Sequence, residues 1–351
     1  MNSFGRIFRV EILGESHGPL VGAVIDGCPP GLPLAPADLE GDLARRRAGA
    51  GGTTSRREAD VPELLSGVYG GFTTGAPILV AVRNADTRSA DYERFREVPR
   101  PGHADFSAGL KYGGYADLRG SGHFSGRLTV GLVAAGAVAK KLLPGVSFTT
   151  RVVEAGGRSD VEAAASEAAA AGDSVGALVE LRVSGLPAGL GEPWFDALES
   201  LAAHAIFAVP GTRGIEFGDG FRAARMRGSE HNDPFVDAAG RTARNGSGGV
   251  NGGISNGNEL VARVAVKPAS SIALPQETFD FGTGAMGTLE IGGRHDACIA
   301  LRGAVALEAA LAVVLADLAL VARATAPLGR PAAPGPGAGP GGRGASAEGS
   351  S

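Results

Sequence analysis

Short apolar runs rich in β-branched residues are separated along the chain by glycine, proline and polar residues, a pattern typical of β-strands. The predicted strands cover residues 7–13, 20–25, 64–69, 77–82, 147–154, 175–183, 215–217 and 260–266. Between them lie segments whose apolar residues recur at helical spacing or continue without a break. The predicted helices cover residues 36–47, 127–143, 161–171, 194–207 and 297–323. The last of these helices is apolar on all sides, so we expect it to be buried.

Strands and helices alternate through the middle of the chain, which favours an α+β fold whose sheets and helices form layers. No charged, proline-rich or low-complexity linker interrupts residues 1–325, and we therefore predict that they form a single large domain. Residues 326–351 consist mainly of proline, glycine, alanine and serine. Such residues bury too little apolar surface to offset the entropy lost on ordering, so we predict a disordered tail.

Net charge, cysteine content and apolar runs limit what the protein is expected to bind and where it is expected to be found. The 351 residues carry a formal net charge of −4, which argues against binding nucleic acid or an anionic membrane by bulk charge. Cys28 and Cys298 are too few for a disulfide framework or a thiolate metal site, so we expect no metal. The start of the chain lacks an apolar stretch behind a basic leader, and we expect no run long and charge-free enough to span a bilayer. These features predict a cytoplasmic protein.

Two of the six histidines stand in loops flanked by glycine: His17 within residues 14–18 and His103 within residues 100–105. Glycine lets the backbone turn sharply and keeps neighbouring bulk away from the imidazole, which leaves the ring accessible to a ligand. Histidine ordinarily titrates near pH ~6.5 and so gives or takes a proton readily at neutral pH. We therefore predict acid/base chemistry at these two positions. His123 is flanked by glycine in a similar way.

Many of the arginines fall next to glycine, histidine or a predicted turn. They are Arg45, Arg46, Arg47, Arg56, Arg57, Arg100, Arg119, Arg127 and Arg294. Guanidinium groups match phosphate and carboxylate oxygens in a bidentate manner, so several together would hold a polyanionic small molecule. Surface arginines without a ligand, and a solvated basic end of the first helix, are the alternative interpretations.

A glycine-rich stretch at residues 248–257 precedes the predicted strand 260–266, which leads into Lys267, Ser270 and Ser271. Backbone amides of such turns can surround an anion, and lysine and serine add donors, so a phosphate-bearing cofactor would fit here. The stretch matches neither a nucleotide P-loop nor the dinucleotide-binding fingerprint. A tight hairpin explains its glycines equally well.

Asp296 lies just before the last predicted helix, where a carboxylate is an ordinary helix cap. Its neighbour Arg294 suggests an alternative, in which Asp296 is a base whose orientation is fixed by the residues around it. The sequence leaves both interpretations open.

Four sequence segments, in this order and at these spacings, resemble motifs of the chorismate synthase family. They are residues 14–18, 100–105, 120–129 and 293–298. The resemblance extends from about residue 4 to residue 323. It implies a layered β-α-β sandwich of antiparallel sheets and helices that assembles as a homotetramer. It also implies a lyase of the shikimate pathway, which removes phosphate and a ring hydrogen from 5-enolpyruvylshikimate 3-phosphate to give chorismate. This anti 1,4-elimination requires reduced FMN although it has no net redox change.

The resemblance also implies roles for individual residues. His17 is similar to the histidine that protonates the reduced flavin, and His103 to the one that protonates or holds the departing phosphate. Asp296 resembles the carboxylate that helps a flavin ring nitrogen to remove the proton. The implied substrate clamp consists of Arg46, Arg100, Arg127 and Arg294. The implied FMN contacts are His123, Ser125, Gly252, Lys267, Pro268, Ala269, Ser270, Ser271 and Arg294.

The chain departs from the family pattern in two places. Where many relatives have arginine followed by two serines, this chain has His123, Phe124 and Ser125, so the FMN contacts of the first two side chains differ. A substrate-binding arginine of the family is missing from residues 48–54, and Arg56 and Arg57 are the candidates to replace it.

Two other functions remain open from the sequence. A flavin-dependent oxidoreductase acting on an anionic metabolite would use the same cofactor pocket for net hydride transfer. A non-catalytic binder of anionic metabolites or polymers would need only the arginines. The source of the electrons is also open: because no nicotinamide-binding fingerprint is visible, we favour an outside reductant, such as a separate flavin reductase, over intrinsic use of NADPH.

Overall fold

The computed structural model describes residues 2–47, 59–84, 90–292 and 295–327. The strands within these ranges are β1 (Ser3–Phe4), β2 (Arg9–Gly14), β3 (Leu20–Asp26), β4 (Glu63–Leu64), β5 (Val68–Tyr69), β6 (Phe72–Thr73), β7 (Ile78–Arg83), β8 (Ser147–Ala155), β9 (Ala177–Ser184), β10 (Thr212–Phe217), β11 (Val250–Asn251), β12 (Ile254–Ser255), β13 (Leu260–Val266), β14 (Gln276–Asp280) and β15 (Ala285–Leu289). The α-helices are α1 (Ala37–Arg46), α2 (Asp105–Lys111), α3 (Thr129–Lys141), α4 (Val161–Ala170), α5 (Leu198–Phe207), α6 (Gly228–His231) and α7 (Ala300–Ala324).

The first sheet is antiparallel, with the strand order β1-β2-β3-β7-β4. The two predicted strands 7–13 and 20–25 are β2 and β3, which form a hairpin in which Gly14 lies opposite Val21. Val21, Ala23 and Ile25 alternate along β3 and are fully buried, since side chains two residues apart share one face of a strand. His17 lies in the connection between the two strands, as predicted.

Helices lie between this sheet and a second antiparallel sheet, whose strand order is β10-β13-β9-β8. Helix α3 packs on β2, β3 and β7, and α7 packs on β8 and β9. The two helices also pack against each other, so closely that a Cβ added at Gly136 would come within 2.4 Å of the Cβ of Ala309. The predicted α+β fold with a β-α-β sandwich is therefore confirmed.

Helix α7 is long and apolar enough to cross a membrane, so the prediction that no segment has this property was wrong. Of its most apolar window, 89% is buried inside the protein. A core helix enclosed by sheets and other helices has the same composition as a membrane span. The prediction of a buried helix in this segment is confirmed.

Some local predictions differ from the structure. The predicted strand 64–69 is two strands, because Gly67 between them adopts a left-handed backbone with a φ of 78°. The hairpin β14–β15 was not predicted, since its sequence lacks a continuous apolar run. Helix α7 begins at Ala300 with Ile299 as its N-cap residue, so Asp296 is not its cap.

Some predictions concern residues that lie outside the described ranges. These are the candidate replacements Arg56 and Arg57, the predicted ligand-binding residue Arg294, and the tail from residue 328 onwards.

Candidate active site

A cavity of about 1470 Å³ opens beside the connection between β2 and β3. It exceeds the ~300–1,000 Å³ typical of a site for one small molecule, so it has room for a substrate and a cofactor together. Most residues predicted to be catalytic or binding line it: His17, Arg46, Arg100, His103, His123, Ser125, Arg127, Lys267, Ala269, Ser270, Ser271 and Asp296. Residues far apart in the sequence thus converge on one place.

Among the described residues, two that were predicted to bind the cofactor do not line the cavity, Gly252 and Pro268. Gly252 lies in the turn of the β11–β12 hairpin with a φ of 61°, so the glycine serves a left-handed turn, as the hairpin interpretation of this stretch expects. Pro268 lies between two lining residues but does not itself line the cavity. Arg294 lies outside the described residues.

His17 is almost buried, with 8% of its surface exposed. Its ring packs edge to face against Tyr92, with the ring centroids 5.4 Å apart. It also lies so close to Gly120 that a Cβ there would come within 2.5 Å of Nε2. Gly120 has a φ of 59°, and Ser121 and Gly122 also have positive φ. Only a residue without a side chain fits at Gly120, which fixes where the imidazole lies.

His103 belongs to a group that we call the His103 cluster, formed by Arg100, His103 and Asp105. Nδ1 of His103 lies 2.7 Å from Oδ1 of Asp105. Arg100 donates to the same carboxylate from Nε at 2.8 Å, from Nη2 at 2.9 Å and from its backbone N–H at 3.1 Å. Nη2 of Arg100 also lies 3.1 Å from Nδ1, although a guanidinium group can only donate. Because an ionised carboxylate only accepts hydrogen bonds, the shorter contact with Asp105 favours a proton on Nδ1, which leaves Nε2 for a ligand.

Asp105 remains ionised in spite of its burial. Burial alone would raise the pKa of the Asp105 carboxyl, but the hydrogen bonds from Arg100 and His103 outweigh it and hold the pKa well below its ordinary value of 3.8. Asp105 was not predicted from the sequence, although it lies two residues after His103 within residues 100–105.

Arg100 holds several parts of the site together. Its side chain is 3% exposed and stacks over the ring of Phe95, with Cζ 4.5 Å from the ring centroid. It also donates to the hydroxyls of Ser121 at 3.0 Å and Ser271 at 3.2 Å. Most of its donors are therefore used within the protein, while its side chain also lines the cavity.

A second group, which we call the Asp60 cluster, consists of Arg46, Asp60 and Arg127. The Asp60 side chain is 1% exposed; it accepts a hydrogen bond from Nη1 of Arg46 at 2.9 Å and another from Nη1 of Arg127. Both arginine side chains are also nearly buried, yet both line the cavity. Asp60 was missed because its partners lie 14 and 67 residues away, and nothing in the local sequence marks the contact.

Asn84 joins this cluster to the His17 loop. Its Oδ1 accepts a hydrogen bond from Nε of Arg127 at 3.1 Å. Its Nδ2 donates to the backbone oxygens of Gly18 at 2.8 Å and Glu15 at 3.1 Å. One amide side chain at the end of β7 therefore ties the orientation of Arg127 to the loop that carries His17.

The three arginines at the end of α1 have different surroundings. Arg45 donates to both carboxylate oxygens of the buried Glu308, at 2.6 and 2.7 Å, and Lys140 donates to the same carboxylate. Burial alone would raise the pKa of Glu308, but these cations outweigh it and lower the pKa to about 2. Arg47 is exposed. Of the three, Arg46 alone lines the cavity.

Lys267 and Ser270 form another cationic and polar part of the cavity wall. Both donate to the backbone oxygen of Gly102, and Nζ of Lys267 also donates to the Ser270 hydroxyl at 2.8 Å. Burial and, to a smaller extent, the charge of Arg213 lower the pKa of Lys267. Arg213 itself lines the cavity and was not predicted, although it stands near two glycines like the arginines that were.

Asp296 accepts a hydrogen bond from Nη1 of Arg302 at 3.0 Å. Arg302, on the first turn of α7, also donates to the backbone oxygen of Arg46 at 3.0 Å and lines the cavity. A carboxylate oriented by a neighbouring guanidinium is the arrangement that the base interpretation of Asp296 requires. Arg302 was not predicted, because it lies inside a helix that the sequence indicated only as buried.

Two of the predicted FMN contacts also hold the local backbone. The His123 ring places Nδ1 3.2 Å from the Gly14 backbone oxygen and Nε2 2.9 Å from Oδ1 of Asn2. The Ser125 hydroxyl accepts a hydrogen bond from the Arg127 backbone N–H at 3.3 Å. Among the described residues, no group of histidine, cysteine and carboxylate side chains could hold a metal ion.

Acid and base side chains share this cavity with several cations, which is what an enzyme needs to bind a polyanion and move its protons.

A family model described as chorismate synthase matches residues 8–320. A chorismate synthase from Chitinophaga pinensis is 58% identical over 322 residues, which cover 92% of this chain and 97% of the relative. One from Korarchaeum cryptofilum is 46% identical and covers 90% and 96%. A crystal structure of a chorismate synthase matches with a TM-score of 0.69 at 28% identity, covering 91% and 93%. The chain belongs to the chorismate synthase family.

Proposed function

We propose that this chain uses the cavity for the anti 1,4-elimination of its family, which converts 5-enolpyruvylshikimate 3-phosphate to chorismate. The observation that carries the proposal is the convergence of two histidines, a carboxylate and several cations on one cavity. The reaction must bind a triply anionic substrate, release phosphate and remove a ring proton, and these groups match those three requirements.

Reduced FMN is the proposed cofactor, and the donors of the cavity wall fit its phosphate. Lys267, Ser270 and Ser271 offer an ammonium group and two hydroxyls from one segment after β13. The cavity volume of about 1470 Å³ is sufficient for a flavin and a substrate side by side. When bound, reduced flavin would supply an electron-rich ring that donates charge transiently while phosphate leaves.

His103 is the proposed acid on the phosphate side. Its contact with Asp105 fixes the ring, so that Nε2 can donate a proton to the departing phosphate. Arg100 acts behind these residues by fixing the Asp105 carboxylate and by bonding to Ser271 in the cofactor segment. Arg46 and Arg127 are the proposed clamp for an anionic group of the substrate.

His17 and Asp296 are the proposed groups on the flavin side. Tyr92 and Gly120 fix the His17 ring, and this fixed position would suit a residue that donates a proton to reduced FMN when the cofactor is bound. Asp296, oriented by Arg302, would assist removal of the ring proton.

Anaerobic turnover with photoreduced FMN tests the proposal. Phosphate release and the absorbance of chorismate should continue for many turnovers while the flavin remains reduced. If the flavin is instead oxidised in proportion to product, the chain is a flavin-dependent oxidoreductase. If neither product forms but anionic metabolites bind, it is a non-catalytic binder.

We also propose a cytoplasmic homotetramer that receives reduced flavin from an outside reductant, such as a separate flavin reductase. Analytical ultracentrifugation tests the assembly. Incubation of the purified protein with FMN and NADPH under nitrogen tests the electron source, because bleaching of the flavin without added reductase would show intrinsic use of NADPH.

Residues 1–325 are proposed to form the whole catalytic domain. A chain that ends at Thr325 should keep the kcat and Tm of the full chain, because the remaining residues have too few apolar side chains to pack on the core. A loss of either property would assign the tail a structural or catalytic part.

A further inference from the structure

Asp60 is a buried carboxylate that has no role in the reaction described above. Its side chain is 1% exposed and lies between Arg46 and Arg127, whose side chains are 5% and 4% exposed. These two arginines line the cavity, whereas Asp60 is not among the lining residues. Asp60 can therefore influence a ligand in the cavity through the two guanidinium groups that it holds.

The backbone of Asp60 is unusual. Its φ of 47° lies in the left-handed region, which residues with a side chain adopt rarely and which asparagine and aspartate tolerate best. Such a conformation persists only where the surroundings hold it. Here the carboxylate is held by two arginines from distant parts of the chain, one at the end of α1 and one just before α3.

Other hydrogen bonds of Arg46 explain why a shared carboxylate matters. Arg46 also donates to the Thr129 hydroxyl at 3.0 Å and to the backbone oxygens of Gly126 and Arg127 at 3.2 and 3.3 Å. These acceptors are neutral, whereas Asp60 places a negative charge between two adjacent cations. A negative group between them lets both guanidinium groups stay side by side while the cavity contains no anion.

We propose that Asp60 is a positioning residue for substrate binding. It holds Arg46 and Arg127 together. Because two arginines outweigh one carboxylate, the three groups keep a net positive charge, which attracts one anionic group of the ligand. The inference rests on the proposed function for the identity of that ligand. It assigns Asp60 an effect on binding more than on chemistry, because it acts on groups that hold the substrate in both the ground state and the transition state.

Asp60→Asn is the appropriate variant, because asparagine keeps the size and tolerates the left-handed backbone while it removes the charge. Glu308→Gln is its matched control. Glu308 is also a buried carboxylate shared by two cations, Arg45 and Lys140, but none of the three lines the cavity. Both variants should lose stability, so a purely structural role predicts the same behaviour in both.

Steady-state kinetics under nitrogen, with photoreduced FMN and varied substrate, separate the two roles. We expect the KM of Asp60→Asn to rise ~10-fold or more with kcat changed less than ~3-fold, and the KM of Glu308→Gln to stay within ~2-fold of the wild type. An Asp60→Asn KM that is unchanged or lower, or an equal rise in Glu308→Gln, would overturn the proposal.

A second measurement does not depend on the reaction. Inorganic phosphate should raise the Tm of the wild type and of Glu308→Gln more than that of Asp60→Asn, because only the first two keep Arg46 and Arg127 in position to bind an anion. Equal shifts in all three proteins would contradict the inference. If the wild type shows no elimination activity, the proposed function fails, and this comparison still decides the role of Asp60.

Asp60→Glu serves if Asp60→Asn cannot be purified. It keeps the charge but moves it by one methylene, so the arginines should shift and the KM should rise by several-fold. A wild-type KM in Asp60→Glu would show that the arginines do not depend on this residue for their position, and would contradict the proposal.

Discussion

The His103 cluster and the Asp60 cluster both bury a carboxylate against arginine at the wall of one cavity, but their charges differ. Asp105 contacts one arginine and one imidazole, so the charges of the His103 cluster cancel when the histidine is neutral. Asp60 pairs with two arginines, so the Asp60 cluster has a net positive charge. The first arrangement suits an imidazole that exchanges a proton, and the second suits an anionic group of a ligand. The groups that share a carboxylate with an arginine therefore indicate the function of that arginine better than its neighbours in the sequence do.

Removing the imidazoles should have the largest effect. His103→Ala and His17→Ala should each lower kcat ~100-fold or more, because general acid or base catalysis typically contributes that much. Phosphate release with photoreduced FMN under nitrogen measures kcat, and Tm shows whether each variant folds. His204→Ala is the control, since His204 is exposed on α5 and lies outside the cavity lining. Near-normal turnover in both test variants would remove the proposed proton transfers.

Asp105→Asn should have the next largest effect and tests what distinguishes the His103 cluster. Asparagine can accept from Nδ1 or, after rotation, donate to it, so the imidazole loses its fixed tautomer. We expect kcat to fall ~10-fold or more with KM changed much less, because the acid and not the anion clamp is affected. A raised KM with a normal kcat would mean that this cluster, like the Asp60 cluster, acts mainly in binding.

The same variant tests the charge of Asp105 through the pH dependence of stability. Although burial opposes it, hydrogen bonds from Arg100 and His103 lower the folded pKa below the ordinary 3.8. Asp105 therefore stabilises the fold at pH values above about 4, and this contribution is lost as the pH falls below that value. The Tm of Asp105→Asn should consequently fall less steeply than that of the wild type on acidification. Parallel curves would contradict the assigned charge.

Gly120→Ala should have a smaller effect, on the His17 side of the cavity. The new Cβ would come within 2.5 Å of the His17 ring at a φ of 59°, so the imidazole must move, and we expect kcat to fall ~10-fold. Gly70→Ala is the matched control, because Gly70 has a φ of 57° with nothing within 4 Å of its Cβ position. Equal losses in both variants would attribute the effect to backbone strain instead of His17.

The sequence predicted well those features that depend on local pattern. The β2–β3 hairpin and the buried last helix follow from runs of apolar residues, and the loops of His17 and His103 from their glycines. Asp60, Asn84 and Arg302 were missed, because their roles arise from contacts between segments that only the fold brings together. Long-range pairing of charges leaves no periodic trace in a single sequence.

Arg47→Ala should have the smallest effect and tests whether membership of a cluster matters more than place in the sequence. Arg47 directly follows Arg46 but is exposed and does not line the cavity. Its removal should change KM and kcat less than ~2-fold, since an exposed side chain away from bound groups contributes little. Arg46→Ala should raise KM strongly, because it removes half of the arginine pair that Asp60 holds. If the two variants lose affinity equally, the basic triplet binds the substrate as a surface patch, and the Asp60 cluster has no special part in it.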